Sequence, residues 1–355
     1  MGDNPNLQVQ SQGFERVMYF DYLRILATAA VMVIHICAST ILEPSVFSFD
    51  FNVLNFYDSI ARWAVPVFAM ISGAIFLDNE IQIPFKSIMK QNVLRILTAF
   101  CFWSVFYVVD YCITYEVPET MDLIEDLLGG HYHMWFLFMI VGLYIIVPIV
   151  RKITADIKLA GYFVLLAFIF TFFLPEVLRN PPLDVVYPVF HFIQFNITRG
   201  YVCYFVAGYW LHKIEIKKSI RYLVYLLGIA GFAATVILTM MISRANNEFY
   251  PNYQDYFTMN VMFEAVALFV FSKYELSRIR IGEKTKNVII KLSTWSFGAY
   301  LIHAFFIEKL ALLGFTSLSY NPVIAVPALT VAVFIASTLV SAIISKIPGL
   351  KKYIV

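Results

Sequence analysis

Apolar residues dominate this chain in long runs, separated by short breaks that carry charge, proline or glycine. A helix crossing a bilayer needs about 20 residues of low charge. Ten such runs can be placed, near Tyr22–Leu42, Phe56–Leu77, Val93–Ile113, Met134–Val150, Leu159–Leu174, Thr198–Leu211, Tyr222–Ile242, Phe257–Phe271, Leu292–Leu313 and Pro322–Ser345. The fourth, fifth, sixth and eighth are short, but charged or turn residues flank each of them on both sides.

The loops between the runs alternate in charge. One set holds Lys86 and Lys90; Arg151, Lys152 and Lys158; Lys213, Lys217, Lys218 and Arg221; and Lys273, Arg278, Arg280, Lys284, Lys286 and Lys291, with Lys346, Lys351 and Lys352 in the tail. The other set offers Arg179, Arg199 and Arg244, and gathers Glu116, Glu119, Asp122, Glu125 and Asp126 in one acidic loop. Lysine and arginine mark cytoplasmic loops, so both termini are expected in the cytoplasm and the number of spans is even. The expected fold is all-α, a polytopic membrane helix bundle of about 10 transmembrane helices. Residues 1–19 read as a polar cytoplasmic N-terminal segment, 20–346 as the membrane domain and 347–355 as a short basic cytoplasmic tail.

Composition agrees and narrows the function classes. Of 355 residues 60% are hydrophobic and 14% charged, with a mean hydropathy of +0.74 that ordinary soluble domains do not approach. The net charge is +2 and topology accounts for the basic residues, so nothing points to nucleic acid. The polar N-terminus lacks a secretory n-region, and the first apolar run has no small-residue cleavage site, so it is expected to stay as a helix. Cys37, Cys101, Cys112 and Cys203 include no CxxC pair, which speaks against a disulfide framework or a zinc site. His131 and His133 lack a convergent third ligand, and no metal is expected.

The polar residues inside the apolar runs carry the candidate chemistry, because ionisable groups at membrane depth are costly and face a bundle interior or aqueous cavity. Arg24 and His35 lie eleven residues apart on the first run. At about 100° per residue they share one helix face, separated by roughly 16 Å of rise. Asp21, Thr28 and Ser39 fall near the same stripe. A bland alternative has Arg24 snorkelling to the headgroups and His35 hydrogen-bonded within the bundle. Asp58 and Arg62 are spaced i, i+4 as a local ion pair near the outer interface. Arg95 begins the third run, Glu264 needs a partner from another helix, and His303 lies in the ninth run. The interruptions Pro66, Pro148 and Pro327 do not match between two halves, so the inverted-repeat signature of many secondary transporters is missing.

These residues match a known pattern. Arg24-x10-His35 within FDYLRILATAAVMVIHI, followed by VPVFAMISGAIFL (Val65–Leu77), HMWFLFMIVGLYIIVPIV (His133–Val150), YFVAGYWL (Tyr204–Leu211) and STWSFGAYLIHAFF (Ser293–Phe306), resembles the membrane acyltransferase 3 family over nearly the whole length. Many members carry paired arginines before the third span, whereas KQNVLRIL keeps Arg95 and has Lys90, Gln91 and Asn92 upstream. Some members add an extracytoplasmic hydrolase-like domain, whereas this sequence stops at IPGLKKYIV, so the expectation is the membrane domain alone.

The resemblance implies a membrane O-acyltransferase of the bacterial cytoplasmic membrane. It would move an acetyl group from cytoplasmic acetyl-CoA, a co-substrate and not a bound cofactor, to a hydroxyl of a cell-envelope or exported glycan. His35 is then the catalytic candidate, as general base or as transient acyl carrier, and Arg24 and Arg95 are the candidates for the CoA phosphates. Asp21, Asp58, Arg62, His133, Trp135, Glu264 and His303 stand as supporting candidates, with His303 expected in a packing or indirect role. A different class remains open on the residues alone: Asp58, Arg62, Glu264 and His303 would also suit the proton or ion relay of a small-solute transporter. A non-catalytic membrane sensor or scaffold is a third reading. The acceptor and the oligomeric state are left open.

Overall fold

The computed structural model describes residues 16–81, 83–115, 120–179, 182–190 and 196–350. Most of the polar N-terminal segment, Glu116 and Glu119 of the acidic loop, and Lys351 and Lys352 of the tail lie outside the described residues. Among the described residues there are helices and turns and no strand. The helices that organise the bundle are α1 (Met18–Ala38), α2 (Phe49–Ala61), α3 (Ala64–Phe76), α4 (Leu94–Thr114), α5 (Thr120–Gly129), α6 (Trp135–Ile145), α7 (Val147–Thr154), α8 (Ile157–Ala167) and α9 (Leu174–Leu178). There follow α10 (Val202–Lys213), α11 (Lys218–Asn246), α12 (Met259–Tyr274), α13 (Glu283–Leu312) and α14 (Pro322–Ile344).

Local chemistry sets several of these boundaries. Ser48 caps α2 by accepting from Phe51 N at 3.1 Å, Asp156 caps α8 through Lys158 N at 2.7 Å, and Asn321 caps α14 through Val323 N at 2.9 Å. Several spans are less regular than the apolar runs suggested. The second run is broken at Arg62–Trp63 between α2 and α3, and the fourth at Ile146 between α6 and α7. A π-turn at Ile88–Val93 leads into α4, and another at Phe168–Phe173 continues α8 into α9. Such turns shift the faces of the helix beyond them, and Arg95 lies two residues past the first.

Among the described residues, nine helical segments are long and apolar enough to cross a membrane, and they coincide with nine of the ten expected runs. The tenth, Thr198–Leu211, is α10, which has twelve residues and spans about 18 Å at 1.5 Å per residue. Its shortness is compensated by burial. Helices associate in lipid through close backbone approach at small residues, and a Cβ on Gly73 of α3 would meet the Phe205 carbonyl, while one on Gly208 of α10 would meet that of Met70.

The two ends of the bundle differ in charge, as the loop alternation predicts. At one end, called here the basic end, Arg151 donates to the carbonyls of Phe76 at 2.8 Å and Ile81 at 3.1 Å. Lys213 pairs with Asp78 at 3.0 Å, and Lys273 donates to His212 O at 2.9 Å and Ile214 O at 2.6 Å. At the opposite end Lys309 pairs with Asp110 at 2.9 Å, and Arg244 donates to Asn52 Oδ1 at 3.0 Å. Central to the bundle is α1, which packs against α2, α3, α12, α13 and α14. That position puts the Arg24–His35 stripe in the middle of the protein.

Candidate active site

Polar groups collect at two levels along α1. At the basic end, buried Asp21 accepts from Arg16 Nε and Nη2, both at 2.7 Å, and Arg24, one turn further on, lies 3.8 Å from the same carboxylate. Arg24 is not a lipid-facing snorkel: with Arg16 and Arg95 it lines a cavity of ≈ 400 Å³. Arg95 enters from α4 with its guanidinium 5.2 Å from the centre of the Phe297 ring. Asn92, Ser293 and Ser296 add neutral polar groups, Phe68, Phe136 and Ile140 form apolar walls, and Tyr300 is also in the lining. Three guanidiniums against one neighbouring carboxylate suit a polyanionic headgroup, and the apolar walls suit a narrow organic arm.

Tyr300 links this cavity to a cluster of histidines nearer the opposite end. The His35 ring lies 5.1 Å from His303 of α13, 5.1 Å from Tyr132 and 6.3 Å from His133, while His133 and His303 are 4.9 Å apart. His133 sits in the short 3-10 turn Tyr132–Met134 that opens α6. Two contacts to α13 hold it there: the Tyr300 hydroxyl donates to His133 O, and His133 Nε2 donates to Leu301 O at 3.2 Å.

Hydrogen counting assigns the next links. With its Nε2 hydrogen committed to a carbonyl, neutral His133 accepts at Nδ1 from His131 Nδ1, 3.0 Å away. His131 Nε2 is 3.0 Å from Glu308 Oε1. Its ring stacks on Tyr107 at 4.1 Å and 13°. His303 donates from Nδ1 to Tyr300 O at 2.5 Å. His133 and His303 are fully buried, whereas His35 keeps partial accessibility. Among the described residues no group of three or more His, Cys, Asp or Glu is arranged to hold a metal ion.

The remaining candidates fall into separate places. Asp58 and Arg62 do pair, but in the interior: Asp58 is 1% exposed, and Arg62 also donates to Gln254 Oε1 at 3.3 Å, whose Nε2 donates to Asn55 Oδ1 at 3.0 Å. Glu264 finds its partner across the α11–α12 seam, where Thr235 Oγ1 lies 2.5 Å from Oε1 and Asn260 donates to the same hydroxyl at 2.7 Å. It belongs to neither level of the α1 stripe. Trp135, at the start of α6, is exposed and lies 5.8 Å from Tyr201 and 6.3 Å from Tyr256, ring centre to ring centre. Ser39 bonds back to Ile36 O at 2.9 Å and joins neither group.

Residues 17–346 match the family described as "Acyltransferase domain". The chain belongs to the membrane acyltransferase 3 family. Among individual proteins, this acyltransferase domain is similar to the "Probable poly-beta-1,6-N-acetyl-D-glucosamine export protein" of Staphylococcus aureus strain MRSA252. The two are 22% identical over 296 residues, 81% of this chain and 82% of that protein. The same named protein of strain MSSA476 matches with the same identity and coverage. No solved structure matches the chain.

Several site residues of this acyltransferase escaped the sequence reading. Arg16 was assigned to a polar leader, yet it chelates Asp21 just before α1 begins at Met18. Tyr300 sits within a recognised stretch but has no charge to mark it. Tyr107 of α4, His131 and Tyr132 just before α6, and Glu308 of α13 are far apart in sequence, and only the fold brings them together.

Proposed function

We propose that this protein is a membrane O-acyltransferase that takes an acetyl group from acetyl-CoA at its basic, cytoplasmic end and gives it to a hydroxyl presented at the opposite end. The observation that carries this reading is the cavity lined by Arg16, Arg24, Arg95 and Tyr300, which extends from a group of guanidiniums to the tyrosine whose hydroxyl donates to His133 O. The guanidiniums bind the CoA phosphates. The pantetheine arm follows the apolar walls, and the roughly 16 Å of α1 between Arg24 and His35 is a span that such an arm covers.

In the transfer step the acceptor oxygen attacks the thioester carbon. The new O–C bond forms, the C–S bond breaks, and the hydroxyl proton passes through His35 to the leaving sulfur. If His35 carried the acyl group itself, an N–C bond would form as the C–S bond breaks and thiol leaves, and would break in a second step as the acceptor oxygen forms the O–C bond and gives up its proton. The acceptor is proposed to be an envelope glycan of a bacterial cytoplasmic membrane. Two things support this: the curated relatives are named for a polysaccharide, and Trp135, Tyr201 and Tyr256 gather at the starts of α6, α10 and α12. Their faces offer the apolar surface on which a sugar ring stacks.

The relatives' name also raises export as a second reading. The test uses protein reconstituted in vesicles with labelled acetyl-CoA and a β-1,6-linked N-acetylglucosamine oligosaccharide. Acetyl ester formation supports the enzyme. Movement of the oligosaccharide without acetyl-CoA and without ester formation supports export.

A further inference from the structure

His303 is buried with one ring nitrogen bonded and the other, Nε2, without a hydrogen-bond partner among the described residues. A carbonyl only accepts, so the 2.5 Å contact with Tyr300 O puts the ring hydrogen on Nδ1. Neutral His303 therefore carries its lone pair on Nε2, and this buried atom has no hydrogen-bond partner among the described residues. Buried acceptors left in that state are uncommon in folded proteins and call for an explanation.

The neighbours narrow what Nε2 is for. His133 lies 4.9 Å away, but both its nitrogens are engaged, with Leu301 O and His131. The Tyr300 hydroxyl is committed to His133 O. His35, at 5.1 Å and 37°, has no ring hydrogen bond among the described residues. It is also the partly accessible ring of the three.

We propose that His303 is a positioning residue for His35, its Nε2 accepting the ring N–H of His35 during acyl transfer. A small rotation of either ring closes the distance, as happens when catalytic hydrogen bonds tighten on substrate binding. The bond fixes the tautomer of His35, so that its other nitrogen is the basic one turned toward the substrates. It also stabilises the imidazolium formed when that nitrogen takes the acceptor proton, the part a carboxylate plays in a Ser-His-Asp triad. The proton shared with His303 stays on His35, and the one taken from the acceptor leaves with the CoA sulfur. This inference rests on the reading of His35 as the acid–base group.

Two substitutions separate positioning from packing because they keep opposite halves of the ring's hydrogen bonding. His303→Asn retains an N–H for Tyr300 O and has nothing at Nε2. His303→Gln reaches the Nε2 position with a carbonyl oxygen and gives up the Nδ1 donor. With β-1,6-linked N-acetylglucosamine oligosaccharide as the acceptor and acetyl-CoA varied up to saturation, His303→Asn should lower kcat by about 100-fold with KM for acetyl-CoA unchanged. His303→Gln should retain about tenfold more activity than His303→Asn, and adding His303→Asn to His35→Ala should cost little more. A His303→Asn enzyme near full rate, with His303→Gln the more damaged, would overturn the proposal in favour of a structural bond to Tyr300. So would a full additional loss in the His35→Ala background. A fully active His35→Ala protein would instead defeat the underlying reading of His35.

Discussion

Replacing Arg24 with alanine removes one of the three guanidiniums lining the basic-end cavity, and the structure indicates how much its charge is worth. Asp21 is engaged mainly by Arg16, through two bonds of 2.7 Å, while Arg24 stands 3.8 Å from it. The Arg24 charge is therefore the less compensated of the two and the more available to a ligand. A charge-assisted phosphate contact contributes about 1.5–3 kcal/mol, so Arg24→Ala should weaken acetyl-CoA binding by about 13- to 150-fold in Kd. Arg24→Lys keeps the charge and loses the forked geometry, and should fall between alanine and the native residue. Arg95→Ala should also cost affinity. The assay is equilibrium binding of acetyl-CoA to protein in nanodiscs at fixed low ionic strength, because salt screens these contacts. A Kd that stays within about threefold, well under one such contact, for both Arg24→Ala and Arg95→Ala in folded protein would refute the assignment of this cavity to the donor.

Three further outcomes follow from the same geometry. Single cysteines at Asp122 and at Lys284 should react with an impermeant thiol reagent from opposite sides of the membrane, in a background with the native cysteines replaced; labelling from one side would break the alternation of spans. Gly208→Val should destabilise the protein by about 1–3 kcal/mol or more through its collision with the Met70 carbonyl, whereas Gly142→Ala, which meets nothing within 4 Å, should leave the melting temperature nearly unchanged; equal effects would mean that α10 does not pack on α3 as described. Trp135→Ala should raise KM for the oligosaccharide acceptor and leave acetyl-CoA affinity intact, while an unchanged acceptor KM would return Trp135 to the ordinary aromatic belt of the membrane interface.

The sequence revealed what depends on periodicity and charge. The runs of apolar residues marked nine spans that the fold contains as long apolar helices, and Arg24 and His35 do lie along one stripe of the central helix. It was less informative wherever a helix departs from regular form. The breaks at Arg62–Trp63 and Ile146 and the π-turns before Arg95 and after Ala167 leave hydropathy unchanged, so an apolar run reads straight through them. The short span α10 shows as a weak signal because its stability comes from Gly73 and Gly208 packing, which is a pairwise property. Glu264 was seen to need a partner, yet Thr235 could be identified only once α11 and α12 were side by side. The histidine cluster is the extreme case. His131 and His133 looked like a loop pair, and they acquire meaning only when α13 brings Leu301, Tyr300, His303 and Glu308 against them.

The central claim is transfer across the bilayer through His35, and vesicles with resolved sidedness test it most directly. Labelled acetyl-CoA is supplied only to the side exposing the basic loops, and the oligosaccharide acceptor is enclosed on the other. The wild-type protein should acetylate the enclosed acceptor. His35→Ala should still bind acetyl-CoA and lose about 100-fold or more of the rate, the usual scale for removing an acid–base group. A folded His35→Ala protein that transfers at close to the wild-type rate would contradict the account, as would a wild-type protein that acetylates only acceptor on the acetyl-CoA side.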